Sequence, residues 1–182
     1  MKYCSQCAAE LVYLIPAGDN RYRHVCPVCN TIHYQNPRIV AGTLPVWQNQ
    51  VLLCRRAIEP RKGFWTLPAG FMENGESTEE AALRETWEEA QARVSLRSLF
   101  SMITVPHIDQ VHVFFLADMD SPAFATGEES LEVALFRKED IPWTELAFPT
   151  VSQTLQRWLT DRSAQQPTHV FDIRPSVPAD RQ

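Results

Sequence analysis

The sequence predicts an α/β domain preceded by a small cysteine-rich module. The chain has 182 residues, of which 45% are hydrophobic and 21% charged, the range of ordinary globular proteins rather than disordered or fibrous ones. From residue 38 onward, strand-like runs rich in β-branched and aromatic residues are interspersed with two helical patterns. Four of the five cysteines form two Cys-x-x-Cys pairs within the first 29 residues.

The start of the chain shows no targeting pattern. Met1–Cys7 lacks the basic and long apolar regions of a secretory signal. No run reaches the roughly 18–20 apolar residues that a membrane-spanning helix needs. We therefore expect a cytoplasmic protein, in which thiols stay reduced and closely spaced cysteine pairs hold a metal rather than a disulfide.

The cysteine spacing predicts a zinc ribbon over residues 1–33. The two pairs are separated by 18 residues that contain an apolar run, a turn at Pro16–Asn20 and a strand-like run, as in a hairpin joining two metal-binding knuckles. The alternatives are a redox pair or unrelated buried thiols. Four thiolates leave a zinc ion no open coordination position, so the predicted role is structural. The ligands would be Cys4, Cys7, Cys26 and Cys29.

A short linker over residues 34–37 separates this module from the main domain, because Asn-Pro favours a turn. The main domain is predicted to span residues 38–163, followed by a proline-dotted, loosely ordered tail over 164–182. The fifth cysteine, Cys54, stands in an apolar run and fits a small core residue. The predicted elements are a hairpin of Arg38–Trp47 and Val51–Arg56, a helix from Ser77 or Thr78 to about Arg93, strands at Arg97–Val105, Val111–Met119 and Leu131–Arg137, and a helix at Thr150–Arg162.

Charge is divided unevenly along the chain. Residues 1–62 hold eight basic and three acidic side chains, whereas residues 63–182 hold nine basic and nineteen acidic ones. Seven of these acids crowd into residues 73–89, with Arg84 as the only cation there. Such a run is either a solvated helix face or a cation-binding site.

Helical spacing favours the cation-binding site. At about 100° per residue, Glu85, Glu88 and Glu89 share one stripe of the first predicted helix, without basic neighbours on that stripe. Three carboxylates at positions i, i+3 and i+4 suit hard divalent cations, with a bland acidic surface as the alternative. The opposite side of the helix is predicted to face the core and holds Leu83, Trp87, Ala90 and Val94.

The segment that contains this helix resembles the Nudix box, the pattern G-x5-E-x7-R-E-U-x-E-E-x-G-U in which U is apolar. The residues that match it are Gly70, Glu76, Arg84, Glu85, Glu88 and Glu89. Two positions depart from the pattern, because Thr86 replaces the usual aliphatic residue and Gln91 replaces the glycine that ends the helix. Without that glycine, we expect the helix to end without the usual left-handed C-cap.

The resemblance implies an α/β/α sandwich around a mixed sheet and hydrolysis of a nucleoside diphosphate linked to another moiety. It also implies that Glu85, Glu88 and Glu89 bind Mg²⁺ or Mn²⁺, and that one of them or a more distant acid acts as the base. Arg84 and Glu76 would brace the loop and the helix. A carboxylate from outside the helix often completes such sites; the candidates are Glu128, Glu129 and Glu132, of which we favour Glu129.

Within that family, a zinc ribbon is typical of the NADH pyrophosphatases and of a shorter group resembling plant plastid FAD and ADP-ribose pyrophosphatases. The Ser-Gln-Pro-Trp-Pro-Phe-Pro-type motif of the NADH enzymes is absent from residues 101–110. Similarity to the shorter group extends over roughly residues 3–160 and implies cleavage of FAD to FMN and AMP, or of ADP-ribose to AMP and ribose 5-phosphate. NADH, CoA and capped RNA are the alternative substrates. The similar segments are Tyr34–Pro37, Leu52–Arg56, Gly63–Gly70, Arg84–Glu89, Phe114–Ala117 and Glu129–Glu132.

Substrate contacts are predicted from side chains near the box. Flat bases need stacking partners and phosphates need cations, so the substrate-binding candidates are Phe64, Trp65, Phe71 and Arg55, with His107 as a further ring. Basic side chains of the front half that could meet phosphates are Arg38, Arg55, Arg56, Arg61 and Lys62.

Two other classes of function compete with a hydrolase. A zinc-ribbon nucleic-acid-binding module is disfavoured, because about five net positive charges spread over 62 residues lie beside an acidic domain. A non-catalytic Nudix-fold sensor usually has a damaged box, whereas this box keeps its acids. The expected partners are a small dinucleotide substrate and, since Nudix relatives are often homodimers, a second copy of the chain.

Overall fold

The computed structural model describes residues 1–161 and 167–175. The chain divides into two compact units, one formed by Met1–Pro37 and the other by the described residues from Arg38 onward. No helix within those described ranges is long and apolar enough to cross a membrane.

The first unit is a three-stranded antiparallel sheet in the order β1-β2-β3. Its strands β1 (Val12–Leu14) and β2 (Arg23–Val25) form the predicted hairpin, and β3 (Ile32–His33) pairs with β2. Two turns of the same shape flank the hairpin, because the N–H of Ala8 donates to the Cys4 carbonyl and the N–H of Asn30 donates to the Cys26 carbonyl. The two Cys-x-x-Cys segments are therefore equivalent knuckles that face each other across the hairpin.

The second unit is built on a mixed sheet of eight strands, as the fold class predicts. Its main path runs β10-β5-β4-β9-β8-β11, with β6 beside β5 and β7 beside β4. The β4–β9 and β8–β11 pairs are parallel, and the other pairs are antiparallel. The strands are β4 (Arg38–Trp47), β5 (Gln50–Arg56), β6 (Trp65–Thr66), β7 (Ala69–Phe71), β8 (Val94–Val105), β9 (Gln110–Met119), β10 (Ser130–Arg137) and β11 (His169–Asp172).

The two helices, α1 (Thr78–Ala90) and α2 (Pro149–Thr160), cover opposite faces of this sheet. Because side chains alternate along a strand, Val113 and Phe115 of β9 pack with α1, whereas Phe114 and Leu116 pack with α2. On α2, the apolar side chains of Val151, Leu155 and Trp158 are buried against this face. The result is the expected α/β/α sandwich.

Helix α1 begins and ends with identifiable caps. The hydroxyl of Ser77 accepts the Glu80 N–H at 3.2 Å while the Glu80 carboxylate accepts the Ser77 N–H at 2.7 Å, which is a capping box. The helix ends at Ala90 rather than near Arg93. Gln91 adopts the left-handed conformation (φ 49°, ψ 28°), so the expectation of a different C-cap is wrong. The Gln91 N–H donates to the Trp87 carbonyl at 2.9 Å, as a glycine there would do.

The C-terminal segment is more ordered than expected over part of its length. Residues 169–172 form β11, which pairs in parallel with β8 over Ser101–Thr104. Half-buried Phe171 packs against the core from this edge strand, and the Ile173 N–H donates to the Thr104 carbonyl at 2.9 Å. Within the tail predicted over 164–182, residues 169–172 thus form a strand whose backbone is paired with β8. Residues 164–166 and 176–182 of the predicted tail lie outside the described residues.

Candidate active site

The loop before α1 is held by one arginine. Arg84 forms a two-pronged ion pair with Glu76, with Nη2 to Oε1 at 2.7 Å and Nε to Oε2 at 3.0 Å, and its Nη2 also donates to the carbonyl of Phe71 at 3.1 Å. Hydrogen bonds from Arg84, followed by one from the Glu73 N–H, lower the pKa of Glu76 to about 2. This geometry matches a bracing role, since the pair ties the loop to the helix without exposing Glu76.

The three carboxylates of the helical stripe line one cavity. Nη1 of Arg84 bridges two of them, donating to Glu85 at 2.7 Å and to Glu88 at 2.9 Å. The third, Glu89, is 7% exposed and accepts the Ala69 N–H at 3.2 Å. Burial, and then repulsion from Glu85, raises the pKa of Glu89 to about 8. Burial likewise raises the pKa of Glu85. A cation in this cavity would thus stabilise the charged form of Glu85 and Glu89, which burial and mutual repulsion disfavour.

The buried face of α1 differs from the prediction. Leu83 and Trp87 were expected in the core but are 38% and 47% exposed, and the Arg93 guanidinium lies 5.1 Å from the Trp87 ring. Ala90 is buried as expected, and Val94 lies beyond the end of the helix in β8. The face that packs on the sheet is the carboxylate side, padded by small residues. Its buried residues are Ala81, Ala82, Thr86, Glu89 and Ala90.

Small side chains on this face have a physical reason. They allow the helix axis to approach the sheet closely, so that Glu89 reaches the Ala69 amide on β7. Gly70 serves the same purpose from the strand side, because a Cβ there would collide with the Glu85 carboxylate. The departure at Thr86 is also accounted for: its hydroxyl donates to the Ala82 carbonyl at 2.7 Å and lies 2.6 Å from the hydroxyl of Thr43 on β4.

A loop over residues 125–129 brings further acids to the cavity. It is tied to the end of α1, since the Ala125 N–H donates to Ala90 and the Gly127 N–H donates to Glu89. Two of the three acids proposed to complete the site, Glu128 and Glu129, line the cavity. Glu129 is close enough to Glu85 and Glu89 to raise their pKa values. The third acid, Glu132, instead pairs with Arg55 at 3.4 Å on the surface.

The cavity has a volume of about 900 Å³, within the range of small-molecule sites. Of the side chains predicted to contact bases or phosphates, Phe71, His107 and Arg56 line it. Trp65 is buried in the core against Phe136, Phe64 lies outside the lining, and Arg55 points to the carbonyl of Gly63 and to Glu132. Some of the predicted residues point away from the cavity because side chains alternate along a strand, which directs neighbouring residues of β5 and β6 to opposite faces of the sheet.

Several lining residues come from parts of the chain far from the box. Arg56 was among the basic candidates, but nothing local in the sequence singled it out from Arg55. Burial lowers the pKa of His112 to about 4, so this side chain is neutral at physiological pH; its Nε2 lies 2.9 Å from the Gln110 side-chain oxygen. The other lining residues that sequence reasoning missed include Ile58, Ile108, Gln110, Phe148, Thr150 and Ile173.

The four cysteines of the first unit lie close enough together to hold one metal ion. Their Sγ atoms all lie within 4.8 Å of one another, with separations of 3.4 Å for Cys7–Cys26 and 3.6 Å for Cys4–Cys29. An ideal tetrahedron with zinc–sulfur bonds of about 2.3 Å has sulfur separations of about 3.8 Å. Hydrogen bonds from the Thr31 hydroxyl and N–H lower the pKa of Cys29 to about 6, which favours the thiolate that binds metal.

No other group of ligating side chains within residues 1–161 and 167–175 is gathered this tightly. The carboxylates of α1 differ because the Arg84 guanidinium lies between Glu85 and Glu88. Their oxygen donors nevertheless suit a hard divalent cation. Without a cation, burial and mutual repulsion disfavour the charged form of these carboxylates. Cys54 belongs to neither set, since it is buried in a core cluster with Leu52 and Ala90.

Fold and site together define a hydrolase whose acidic helix and preceding loop lie against a mixed sheet, and comparison with known families gives that class its name. The NUDIX domain model matches residues 36–159, and the model described as the Nudix N-terminal zinc ribbon matches residues 2–35. The chain therefore belongs to the Nudix family. It is a pyrophosphohydrolase, similar to proteins named ADP-ribose pyrophosphatase and NudC, and Nudix hydrolases use divalent metals.

Among solved structures, the chain is similar to a Nudix hydrolase from Nitrosomonas europaea, with a TM-score of 0.91, 49% identity, and coverage of 95% of this chain and 99% of that one. It is 27% identical to the ADP-ribose pyrophosphatase of Methanocaldococcus jannaschii over 69% of this chain and 76% of the archaeal enzyme. It is 33% identical to the NAD-capped RNA hydrolase NudC of Chromobacterium violaceum over 73% of this chain. The match spans only 48% of that NudC protein.

Proposed function

We propose that the chain hydrolyses the diphosphate bridge of a nucleoside diphosphate linked to another moiety. FAD, giving FMN and AMP, and ADP-ribose, giving AMP and ribose 5-phosphate, are the first candidates. The observation that carries this proposal is the convergence of the Glu85, Glu88 and Glu89 carboxylates with Glu129 on one cavity of nucleotide size. The archaeal relative named as an ADP-ribose pyrophosphatase supports the choice of ADP-ribose.

In this proposal the carboxylates hold Mg²⁺ or Mn²⁺. The bound metal would neutralise phosphate charge and lower the pKa of the attacking water. Hydrolysis adds that water across the bridge: its oxygen bonds to one phosphorus, and the bridging oxygen leaves with the other phosphoryl group and takes a proton. Arg84 keeps the loop and the helix aligned through Glu76 and the Phe71 carbonyl.

Phe71 is the side chain best placed to hold a base. It is 45% exposed at the cavity, and the Arg38 guanidinium lies 4.7 Å from its ring centre, which fixes the ring in place. His107 lines the same cavity and offers a second flat surface. The cysteine cluster of the first unit is proposed to hold one structural Zn²⁺ ion, because four thiolates complete its tetrahedral shell.

A second candidate is hydrolysis of NADH or of NAD-capped RNA. It is favoured by the NudC relative, which is more identical to this chain than the archaeal enzyme is, although the chain spans only about half of NudC. Incubation of the purified protein with FAD, ADP-ribose, NADH, NAD, CoA and capped RNA, in Mg²⁺ or Mn²⁺, separates the candidates by product identity. We expect AMP as a product of FAD or ADP-ribose, and no product from any substrate would refute the proposal.

Variants of α1 test the metal assignment directly. Glu88→Gln and Glu89→Gln should each lower turnover on the order of a hundredfold or more, because each removes an anionic ligand of the metal. The matched control is Glu79→Gln, which changes an exposed carboxylate of the same helix outside the cavity and should retain full turnover. Turnover near that of the unchanged protein in Glu88→Gln and Glu89→Gln would rule out the assignment.

A further inference from the structure

The beginning of β9 places two uncharged polar side chains in the cavity that the carboxylates line. Gln110 and His112 lie two positions apart on β9, so their side chains share one face of the sheet, and both line the cavity. The Gln110 side-chain oxygen lies 2.9 Å from Nε2 of His112. Because an amide oxygen can only accept a hydrogen bond, Nε2 carries the ring proton, and the other ring nitrogen, Nδ1, is an acceptor.

Each of the two side chains keeps one hydrogen-bonding group without a protein partner. Both side chains are half-buried. Within residues 1–161 and 167–175, neither the Gln110 amide nitrogen nor Nδ1 of His112 has a hydrogen-bond partner. Both atoms nevertheless retain accessible surface. The pair therefore offers a ligand in the cavity one donor and one acceptor, side by side.

The pair has apolar neighbours on the sheet. Strand register places His112 between Val40 of β4 and Ile103 of β8. It also places Val105 of β8 beside Gln110. Val40 and Val105 line the cavity, and Ile103 is fully buried. Burial lowers the pKa of His112 to about 4, so its ring is uncharged at neutral pH. A hydrogen bond in such surroundings is stronger than in water, and an unmatched polar group there is costly.

The aromatic ring proposed to hold a base belongs to the same row of the sheet. Phe71 of β7 pairs with Val40, and Val40 pairs with His112, so the three side chains point to one face. The Cα atoms of the outer two are separated by two strand spacings, about 10 Å. The remaining register neighbour of Gln110 is Arg38, whose guanidinium lies 4.7 Å from the Phe71 ring centre. A flat ring in the space above Val40 thus contacts Phe71 on one side and meets Gln110 and His112 on the other.

We propose that Gln110 and His112 recognise the adenine ring of the nucleotide. This assignment deepens the proposed function and rests on it, since FAD and ADP-ribose share their adenosine half. Adenine carries an amino group that donates and, beside it, ring nitrogens that accept. The Gln110 amide nitrogen therefore donates to a ring nitrogen, while Nδ1 of His112 accepts from the amino group. Hypoxanthine has a carbonyl oxygen in place of the amino group, and that oxygen would face the lone pair of Nδ1.

Binding of nucleoside monophosphates tests this assignment without turnover, because AMP and IMP have no diphosphate bridge to cleave. Calorimetric titration of the protein in Mg²⁺ should show AMP binding about tenfold or more tightly than IMP, as expected for matched against mismatched hydrogen bonds. His112→Phe and Gln110→Met roughly keep the size of each side chain and should each bring the two affinities to within about twofold of one another. Gln156→Met, which changes an exposed glutamine of α2 outside the cavity, is the matched control and should keep the preference for AMP.

The ratio of AMP affinity to IMP affinity separates recognition from a structural role. A variant that only disturbs packing should weaken both ligands together and leave the ratio unchanged, so an unchanged ratio in either variant would overturn the assignment. Equal binding of AMP and IMP to the unchanged protein, or no measurable binding of either, would also overturn it, and this comparison needs no variant to fold. FMN that binds more tightly than AMP, with a preference that His112→Phe removes, would assign the pair to the flavin ring and overturn its assignment to adenine.

The adenine assignment and the proposed function fail in different ways. If the protein hydrolyses a member of the substrate panel but binds AMP and IMP equally, the adenine assignment is wrong and the function stands. If the preference for AMP depends on Gln110 and His112 but no substrate is hydrolysed, the adenine assignment stands and the proposed function is wrong.

Discussion

Paired hydroxyls join α1 to the sheet directly behind the carboxylates. Thr86 and Thr43 are both 0% exposed, and their oxygens lie 2.6 Å apart. Thr86 donates its proton to the Ala82 carbonyl at 2.7 Å, so the proton between the two hydroxyls belongs to Thr43. This asymmetry makes a double-mutant cycle informative. Removing the Thr86 hydroxyl leaves the Thr43 hydroxyl without its acceptor, removing the Thr43 hydroxyl leaves Thr86 bonded to Ala82, and removing both leaves no unpaired hydroxyl.

The expected free energies follow from that arrangement. Thr86→Val leaves the Thr43 hydroxyl buried without an acceptor and should lower the free energy of unfolding by about 1–3 kcal/mol. Thr43→Val leaves Thr86 bonded to Ala82 and should cost about 0.5–1.5 kcal/mol. The double variant removes both hydroxyls with little change of shape and should be near neutral. It should therefore be more stable than the sum of the single changes by at least about 1 kcal/mol.

Urea unfolding followed by tryptophan fluorescence is a suitable assay. All five tryptophans lie after residue 37, so the signal reports on the second unit alone. Turnover should stay within about twofold in all three variants, because valine has the same β-branched shape as threonine and keeps α1 against β4. Strictly additive changes in the free energy of unfolding would refute the shared hydrogen bond, and with it our explanation of why the helix accepts threonine at this position.

Three further outcomes are expected. In EDTA the free energy of unfolding should fall as pH rises from about 5 to 8. The cause is Glu89, which keeps its proton in the folded protein, whereas the unfolded chain releases it near the ordinary pKa of about 4.3. An equally steep fall of the free energy of unfolding with pH in Glu89→Gln would contradict this. Gly70→Ala should lower turnover at least about tenfold, because the new Cβ displaces the Glu85 carboxylate. Gly127→Ala, whose Cβ would meet the Glu88 carbonyl, should mainly lower stability. Full turnover in Gly70→Ala would contradict the close approach of Gly70 to the Glu85 carboxylate. Metal analysis should find about one zinc per chain and none after Cys26→Ser. If the protein is purified in reducing buffer and contains no zinc, the assignment of a zinc site to the four cysteines is wrong.

The acidic stripe could be found from sequence because its members are neighbours along one helix. Spacing alone places Glu85, Glu88 and Glu89 on one side, whatever the helix packs against. The direction in which that side points could not be found this way. Hydrophobicity assigned Leu83 and Trp87 to the core, yet the sheet accepts the alanine-rich side, because large side chains there would hold the carboxylates away from β7. Burial of large apolar side chains is only a tendency. On α1, close contact with the sheet buries the alanine-rich side and leaves Leu83 and Trp87 exposed.

Residue identity and short-range spacing by themselves determined the two cysteine knuckles and the carboxylate set, since each knuckle and the helix stripe depend on residues a few positions apart. The bracing of the loop by Arg84 and Glu76 was implied by the resemblance to the Nudix box. Tertiary structure alone decided the wall opposite the carboxylates. Arg56, Gln110, Thr150 and Ile173 come from three strands or their ends and a helix N-terminus, and they meet only because of strand order and register. Alternation along β5 directs Arg56 rather than Arg55 to the cavity, and pairing of β11 with β8 brings in the chain after residue 172. No local pattern encodes the β4–β9, β5–β10 and β8–β11 pairings, which join residues 68 to 87 positions apart.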